Sequence, residues 1–154
     1  MMSLASDVIA RLQGKCLATA ESCTGGGIGA QLTAVSGASA VFKGGIISYC
    51  NEIKHSLLDV PCTLLEEKGA VSAPVAEAMA KGARNALNAQ IGISVTGLAG
   101  PGGDEFGNPV GTVFIGYSDE HVTLARHFLF SGSREEIRSR AIREALKLIL
   151  EQNP

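Results

Sequence analysis

Three segments of the chain combine reactive side chains with glycine: Ala20-Glu21-Ser22-Cys23-Thr24-Gly25-Gly26, Tyr49-Cys50-Asn51-Glu52-Ile53-Lys54 and Thr96-Gly97-Leu98-Ala99-Gly100-Pro101-Gly102-Gly103. In the first, a short apolar run over 15–20 leads into a helical pattern carrying Ile28, Leu32 and Val35. Ser22 therefore falls in a strand-to-helix turn, where free backbone N–H groups and the positive end of a helix can stabilise an alkoxide, an oxyanion or a phosphate. Ser22 is a candidate nucleophile, with Thr24, Gly25 and Gly26 as candidate anion ligands; the alternative is that Ser22 or Thr24 only caps the helix. The segment matches neither G-x-S-x-G, because position 20 is Ala, nor S-x-x-K, because position 25 is Gly.

A serine nucleophile needs a base. The three histidines, His55, His121 and His127, show no spacing that singles one out, and His121 and His127 read as surface or packing residues. Lys54 is the better candidate. Asn51 starts a helix and can cap it, which puts Lys54 in the first turn, where a cation opposes the helix dipole. If partly desolvated there, a lysine loses proton affinity and can serve as a neutral base. Tyr49 ends the preceding strand. The alternative is a solvated lysine beside a half-buried tyrosine. In the third segment, Thr96, Gly97, Ala99, Gly100, Gly102 and Gly103 follow a strand and form a candidate cradle for an anion or a ring edge. Asp104 and Glu105 are adjacent loop acids and are read as solvated, so no metal is expected.

These groups need elements to position them. Strands are expected over 15–20, 44–49, 91–96, 110–117 and 122–130, the last two as a hairpin turning at Ser118-Asp119-Glu120-His121. Helices are expected over 3–14, after Gly26, over 51–58, and over 72–87 with Ser72 as N-cap and Pro74 in the first turn. Ser133-Arg134-Glu135-Glu136 is a capping box opening a last helix through 151. The alternation predicts an α/β fold, a three-layer α/β/α sandwich around a mixed, mostly parallel sheet of about five strands. In such a sheet Ser22, Tyr49 and Thr96 share the carboxyl rim, where open α/β sheets bind ligands.

With 154 residues, 45% hydrophobic and 18% charged, the chain is expected to form a single globular domain over 1–154. A net charge of −2 without a basic stripe argues against nucleic acid as substrate. No signal peptide or spanning segment is visible, and four cysteines without C-x-x-C spacing suit a reducing cytoplasm. Neither nucleic acid nor membrane is an expected partner, which leaves a small molecule; assembly into a homo-oligomer is left open. No cofactor is expected.

The last helix adds one more feature. At about 100° per residue, Arg134 and Arg138 fall in the same arc as Ile137, Ala141, Ile142, Ala145, Leu148 and Ile149, whereas Arg140, Arg143 and Lys147 fall opposite. Two arginines thus point inward at the first turns, as phosphate ligands or as snorkelling or ion-paired residues.

Taken together, A-E-S-C-T-G-G at 20–26, Y-C-N-E-I-K at 49–54, G-A-V-S at 69–72, T-G-L-A-G-P-G-G at 96–103, P-V-G-T-V at 109–113 and F-S-G-S-R at 130–134 resemble the CinA C-terminal domain family across essentially the whole chain. The resemblance implies hydrolysis of nicotinamide mononucleotide (NMN) to nicotinate mononucleotide and ammonia in pyridine nucleotide salvage. It also implies an α/β/α fold, no metal, and a serine nucleophile assisted by a lysine and a tyrosine. Those roles carry over to Ser22, Lys54 and Tyr49, the substrate loop to Thr96 and its glycines, and the arginine after the family's S-G-D stretch to Arg134. Three positions depart from the family pattern: Cys50 stands for Ser, Ser133 for Asp and Asn108 for Lys, and the last is expected to weaken phosphate binding. Larger family members carry an N-terminal domain tied to ADP-ribose hydrolysis, and that activity is not expected here. Two other functions compete with this one: a nucleotide-binding module without turnover, linked to competence or DNA damage, and an amidase for another small amide.

Overall fold

The computed structural model describes residues 3–154. Its sheet has the order β2-β1-β3-β4-β5, formed by Leu17–Glu21 (β1), Phe42–Ile47 (β2), Ile91–Gly97 (β3), Thr112–Ser118 (β4) and Thr123–Leu129 (β5). Strand β1 pairs in parallel with both β2 and β3, whereas β3–β4 and β4–β5 are antiparallel. Only β4 opposes the other four strands, so the sheet is mixed and mostly parallel. The β4–β5 turn is held by Asp119, whose carboxylate accepts from the N–H groups of His121 and Val122.

Side-chain alternation along each strand feeds two different layers. Leu17, Ile91, Ile93, Val95, Val113, Ile115 and Tyr117 face a core shared with Leu4–Arg11 (α1), Gly27–Thr33 (α2) and Arg134–Gln152 (α6). Ala18 and Ala20 face the other core, built with Asn51–Leu58 (α3), Cys62–Lys68 (α4) and Ala73–Leu87 (α5). That second face of the sheet is made of small residues because α5 lies almost on the strands. A Cβ at Gly92 would come within 2.1 Å of the Ala80 carbonyl oxygen, and the Ser94 hydroxyl donates to the Ala76 carbonyl at 2.6 Å.

Most expected elements occur, with ends shifted by one to three residues, a normal fraying of boundaries. The capping box at Ser133 is present in full. Three local expectations need correction. Helix α4 was not anticipated. Ser72 is the N-cap of α5 by position, but its hydroxyl donates backwards to the Gly69 carbonyl at 2.9 Å instead of capping. Asn51 is the first residue of α3 and does not cap it; Cys50 is the N-cap and makes no side-chain bond. Among the described residues, no helix is long and apolar enough to cross a membrane.

Candidate functional site

Because β1, β2 and β3 are parallel, their carboxyl ends deliver Ser22, Tyr49 and Thr96 to one rim, as the topology requires. A cavity of about 290 Å³ opens there. Its walls include Ser22 and Cys23 from the β1 end, Tyr49, Asn51 and Lys54 from the β2–α3 connection, Thr96 to Gly100 and Gly102 from the β3 end, and Arg134 from α6.

The chemical centre is Ser22 and Lys54. Ser22 continues the β1 register, its N–H donating to the Val95 carbonyl at 3.0 Å, and it is buried. The Nζ of Lys54 lies 3.1 Å from Ser22 Oγ and donates to the Ser48 carbonyl at 2.6 Å. Lys54 is only 1% exposed, and no carboxylate forms an ion pair with it among the described residues. Burial disfavours the ammonium form, and the lysine pKa falls to about 8. Neighbouring Cys50 and Cys23 oppose that fall. A lysine on the first turn of α3 is thus largely desolvated at the base of the cavity and within reach of a hydroxyl proton.

No histidine takes that place. His55 Nδ1 is 2.8 Å from the Val60 carbonyl, His121 sits on the surface beside Glu120, and His127 stacks on Phe114 with ring centroids 4.5 Å apart. Cys23 is equally unsuited to be a nucleophile, since burial pushes its thiol up to about 11. Among the described residues, no group of three or more His, Cys, Asp or Glu side chains gathers closely enough to hold a metal ion.

The turn after Ser22 differs from the sequence expectation. Its helix terminus is already occupied by Glu21, which is 2% exposed. The Glu21 carboxylate accepts from the Thr24 hydroxyl at 2.7 Å, from Ile28 N–H at 2.8 Å and from Gly29 N–H at 3.0 Å. A buried charge is retained only with partners of this kind. Thr24 is therefore buried and spent, and Thr24, Gly25 and Gly26 do not line the cavity. The Gly25 N–H closes the turn on the Ser22 carbonyl at 3.1 Å. Gly26 has φ 102°, a left-handed backbone that permits the entry into α2. Cys23 N–H, beside Ser22, and the N–H groups of Ala99 and Gly100 across the cavity have no acceptor among the described residues. These are among the donors left at the cavity for an oxyanion or a carbonyl oxygen.

The opposite wall is looser. Thr96 is buried and donates its hydroxyl to the Ala70 carbonyl at 2.8 Å, which ties β3 to the G-A-V-S stretch. Gly97, Ala99, Gly100 and Gly102 line the cavity, whereas Gly103 lies outside it under Asn108. Asp104 is not merely solvated. Its carboxylate gathers the N–H groups of Phe106 and Asn108 and the Asn108 side-chain amide, and these bonds hold its pKa below the ordinary carboxylate value against a desolvation that acts to raise it. Asn108 also donates to the Val71 carbonyl at 3.2 Å, so its side chain braces this loop and does not reach the cavity.

Tyr49 is 64% exposed, and its hydroxyl accepts from Arg134 Nη2 at 3.4 Å, not from Ser22 or Lys54. Arg134 also donates to the Gly100 carbonyl, bridging two walls of the mouth. Asn51 is exposed at the same mouth. Arg138 does point inward, as the helical arc implied, but it does not line the cavity. Its Nε donates to the Cys23 carbonyl at 2.9 Å and its Nη2 to the Thr24 carbonyl at 3.2 Å.

Sequence reading missed Glu21, Cys23 N–H and the Ser48 carbonyl. Only Glu21 left a signal, as a carboxylate closing an otherwise apolar buried strand.

Known proteins share this arrangement of elements. The crystal structure of the competence/damage inducible protein CihA from Agrobacterium tumefaciens superposes with a TM-score of 0.94 at 37% identity, covering 98% of this chain and 94% of that one. A competence-damaged protein (CinA) superfamily protein from Escherichia coli gives 0.94 at 34% identity, covering 97% and 88%. A CinA-like protein of Synechococcus sp. (strain RCC307) is 50% identical over 151 residues, which is 96% of this chain and 36% of the relative. A second, from Parasynechococcus marenigrum, is 58% identical over 118 residues, or 75% and 28%. The chain thus spans about a third of the length of these curated relatives. The family model described as CinA C-terminal domain matches residues 1–153, and the chain belongs to that family.

Proposed function

We propose that the chain is an amidohydrolase that converts the carboxamide of NMN to a carboxylate and releases ammonia. The observation that carries this reading is the 3.1 Å approach of Ser22 Oγ to a buried, carboxylate-free Lys54 at the base of an open cavity. In its neutral form Lys54 accepts the Ser22 proton as the oxygen attacks the carboxamide carbon. The tetrahedral oxyanion takes N–H donors from Cys23 and from the Ala99–Gly100 segment. Lys54 then returns the proton to the leaving nitrogen, ammonia departs, and water activated by the same amine cleaves the acyl-enzyme.

Recognition falls to the other wall. Tyr49 offers an exposed ring at the mouth, and the face of such a ring suits a cationic pyridinium, so its role here is as a platform and a partner of Arg134 more than as a proton relay. Arg134, exposed and, among the described residues, bonded only to a carbonyl and a phenol, is free to exchange those neutral partners for a phosphate. Asn51, whose side chain makes no hydrogen bond among the described residues, can address the amide or a ribose hydroxyl. The test is ammonia release across NMN, nicotinamide riboside, nicotinamide and unrelated small amides. Release from NMN at a rate abolished by Ser22→Ala supports the reading. Tight binding of NMN without ammonia leaves a nucleotide-binding module, and release only from another amide leaves a different amidase.

A further inference from the structure

Arg138 is a charged side chain that the mechanism above does not use. It sits on the second turn of α6, half-buried, with no carboxylate in salt-bridge range among the described residues. Two of its guanidinium nitrogens are committed, Nε to the Cys23 carbonyl and Nη2 to the Thr24 carbonyl. These are the two residues immediately after Ser22. From the other side, the Glu21 carboxylate holds the Thr24 hydroxyl and two N–H groups of α2. The turn is therefore gripped by an anion that collects its donors and a cation that collects its acceptors.

We infer that Arg138 is a positioning residue for Ser22: by holding the Cys23 and Thr24 carbonyls it fixes the two peptide planes after Cys23, and through the Gly25 N–H bond to the Ser22 carbonyl it steadies the turn that carries Ser22 Oγ against Lys54 Nζ. A trans peptide points its N–H opposite its carbonyl, so a guanidinium on two successive carbonyls also sets the direction of the two following N–H groups. Carbonyl groups on a turn carry partial negative charge, which would oppose an alkoxide at Ser22, and the unpaired guanidinium offsets it. The same field reaches the neighbouring thiol, where Arg138 acts against the upward shift of Cys23. The planar fork matters as much as the charge, since it fixes the directions of both carbonyls, whereas an ammonium is a point charge with freely rotating donors.

This inference rests on the proposed acyl-enzyme chemistry, but it can be tested apart from the substrate. The first measurement is the rate at which an aryl sulfonyl fluoride labels Ser22, with Ser22→Ala as blank. Arg138→Ala is expected to slow labelling while leaving its final stoichiometry at that of the wild type. In NMN turnover, kcat is expected to fall about 100-fold, the scale of a misplacement of about 1 Å, with KM within about twofold. The loss should be equal on nicotinamide riboside, and added guanidinium ion should restore part of it. A rise in KM for NMN alone with kcat unchanged would make Arg138 a phosphate ligand and overturn the inference; so would unchanged labelling and turnover. Should Arg138→Ala fail to fold, Arg138→Lys retains the charge and one contact, and full activity in that variant overturns the bidentate hold. A wild-type chain inactive on NMN but labelled at Ser22 would sink the proposed function and leave the labelling comparison standing.

Discussion

The two walls of the cavity are built by different rules. On the Ser22 side, Glu21, Ser22, Thr24 and Lys54 are buried, with the Thr24 hydroxyl held by Glu21 just behind the cavity and Lys54 Nζ held between Ser22 Oγ and the Ser48 carbonyl. On the Tyr49–Arg134 side, Tyr49 is 64% exposed, Arg134 and Asn51 are exposed, and the bonds present are to a carbonyl and a phenol that a ligand can replace. Charge transfer between two atoms needs a geometry set before the substrate arrives, since reorganisation during reaction adds to the barrier. Recognition of a charged, flexible ligand needs groups whose partners are cheap to give up. The contrast predicts that substitutions on the buried wall strike turnover and those on the exposed wall strike affinity.

The largest expected effect is on the buried wall. Ser22→Ala should reduce ammonia release from NMN to background, a loss of roughly 10⁴-fold or more, while product affinity measured by calorimetry stays near wild type. More than a few percent residual turnover would show that Lys54 activates water directly. Lys54→Arg should be nearly as damaging as Lys54→Ala, on the order of 10²–10⁴-fold, because a guanidinium stays protonated and is no base. Substantial activity in Lys54→Arg would mean that the position supplies only charge.

Crossing to the exposed wall, Arg134→Ala should raise KM for NMN about 10- to 100-fold, as loss of a charged hydrogen bond does. Turnover of nicotinamide riboside, which has no phosphate, should change little. Equal losses on both substrates would move Arg134 from recognition to architecture and blur the contrast between the walls.

The walls also differ in how much of them was legible in the sequence. The three segments, their convergence on the carboxyl rim and the inward turn of Arg138 follow from periodicity and from the parallel strand order, whereas Arg134, placed on the same arc, is exposed at the mouth. What periodicity cannot show is the partner across the fold. Arg138 was visible as an inward arginine, but its acceptors are carbonyls 114 and 115 residues away, which no local pattern reports. Glu21 took the helix start that glycine and serine suggested for a substrate, because a carboxylate buried at 2% must find donors and the nearest unsatisfied ones were those N–H groups. Helix α4 escaped notice for a related reason. Its seven residues carry only two leucines, too few to mark a face, and packing against α5 supplies what local propensity lacks.

A smaller effect tests the burial of Lys54 itself. In the folded chain its pKa lies near 8, below the 10.5 of an ordinary lysine. Below pH 8 the folded state must bury an ammonium, so the cost is fully present. Between 8 and 10.5 the unfolded chain holds a proton that the folded chain has lost, so stability rises with pH through that window. Rate should follow the same titration, with kcat/KM climbing through pH 8 and then levelling as the amine becomes neutral. Lys54→Met removes the titration. Its stability relative to wild type, from denaturant melts, should therefore be about 2 kcal/mol more favourable at about pH 6.5 than at about pH 9.5. A difference independent of pH would mean that Lys54 keeps an ordinary proton affinity and is no base at neutral pH.

The smallest expected effect is the sharpest discriminator between the walls. If Tyr49 relays the proton of Ser22, removing its hydroxyl should cost turnover by an amount comparable to losing general-base assistance, about 10²-fold. The geometry argues otherwise, because that hydroxyl meets Arg134 at 3.4 Å, a long contact, while Ser22 and Lys54 face each other without it. Tyr49→Phe keeps the ring and loses only that contact, so kcat should hold and KM for NMN should rise by no more than about threefold, the worth of one neutral or weak hydrogen bond. Tyr49→Ala removes the ring as well and should raise KM further, for NMN and the riboside alike, since both carry the pyridinium. Steady-state kinetics of the two variants on the two substrates measure this directly. A fall in kcat for Tyr49→Phe comparable to that of Lys54→Ala would place Tyr49 on the chemical wall and erase the division drawn here.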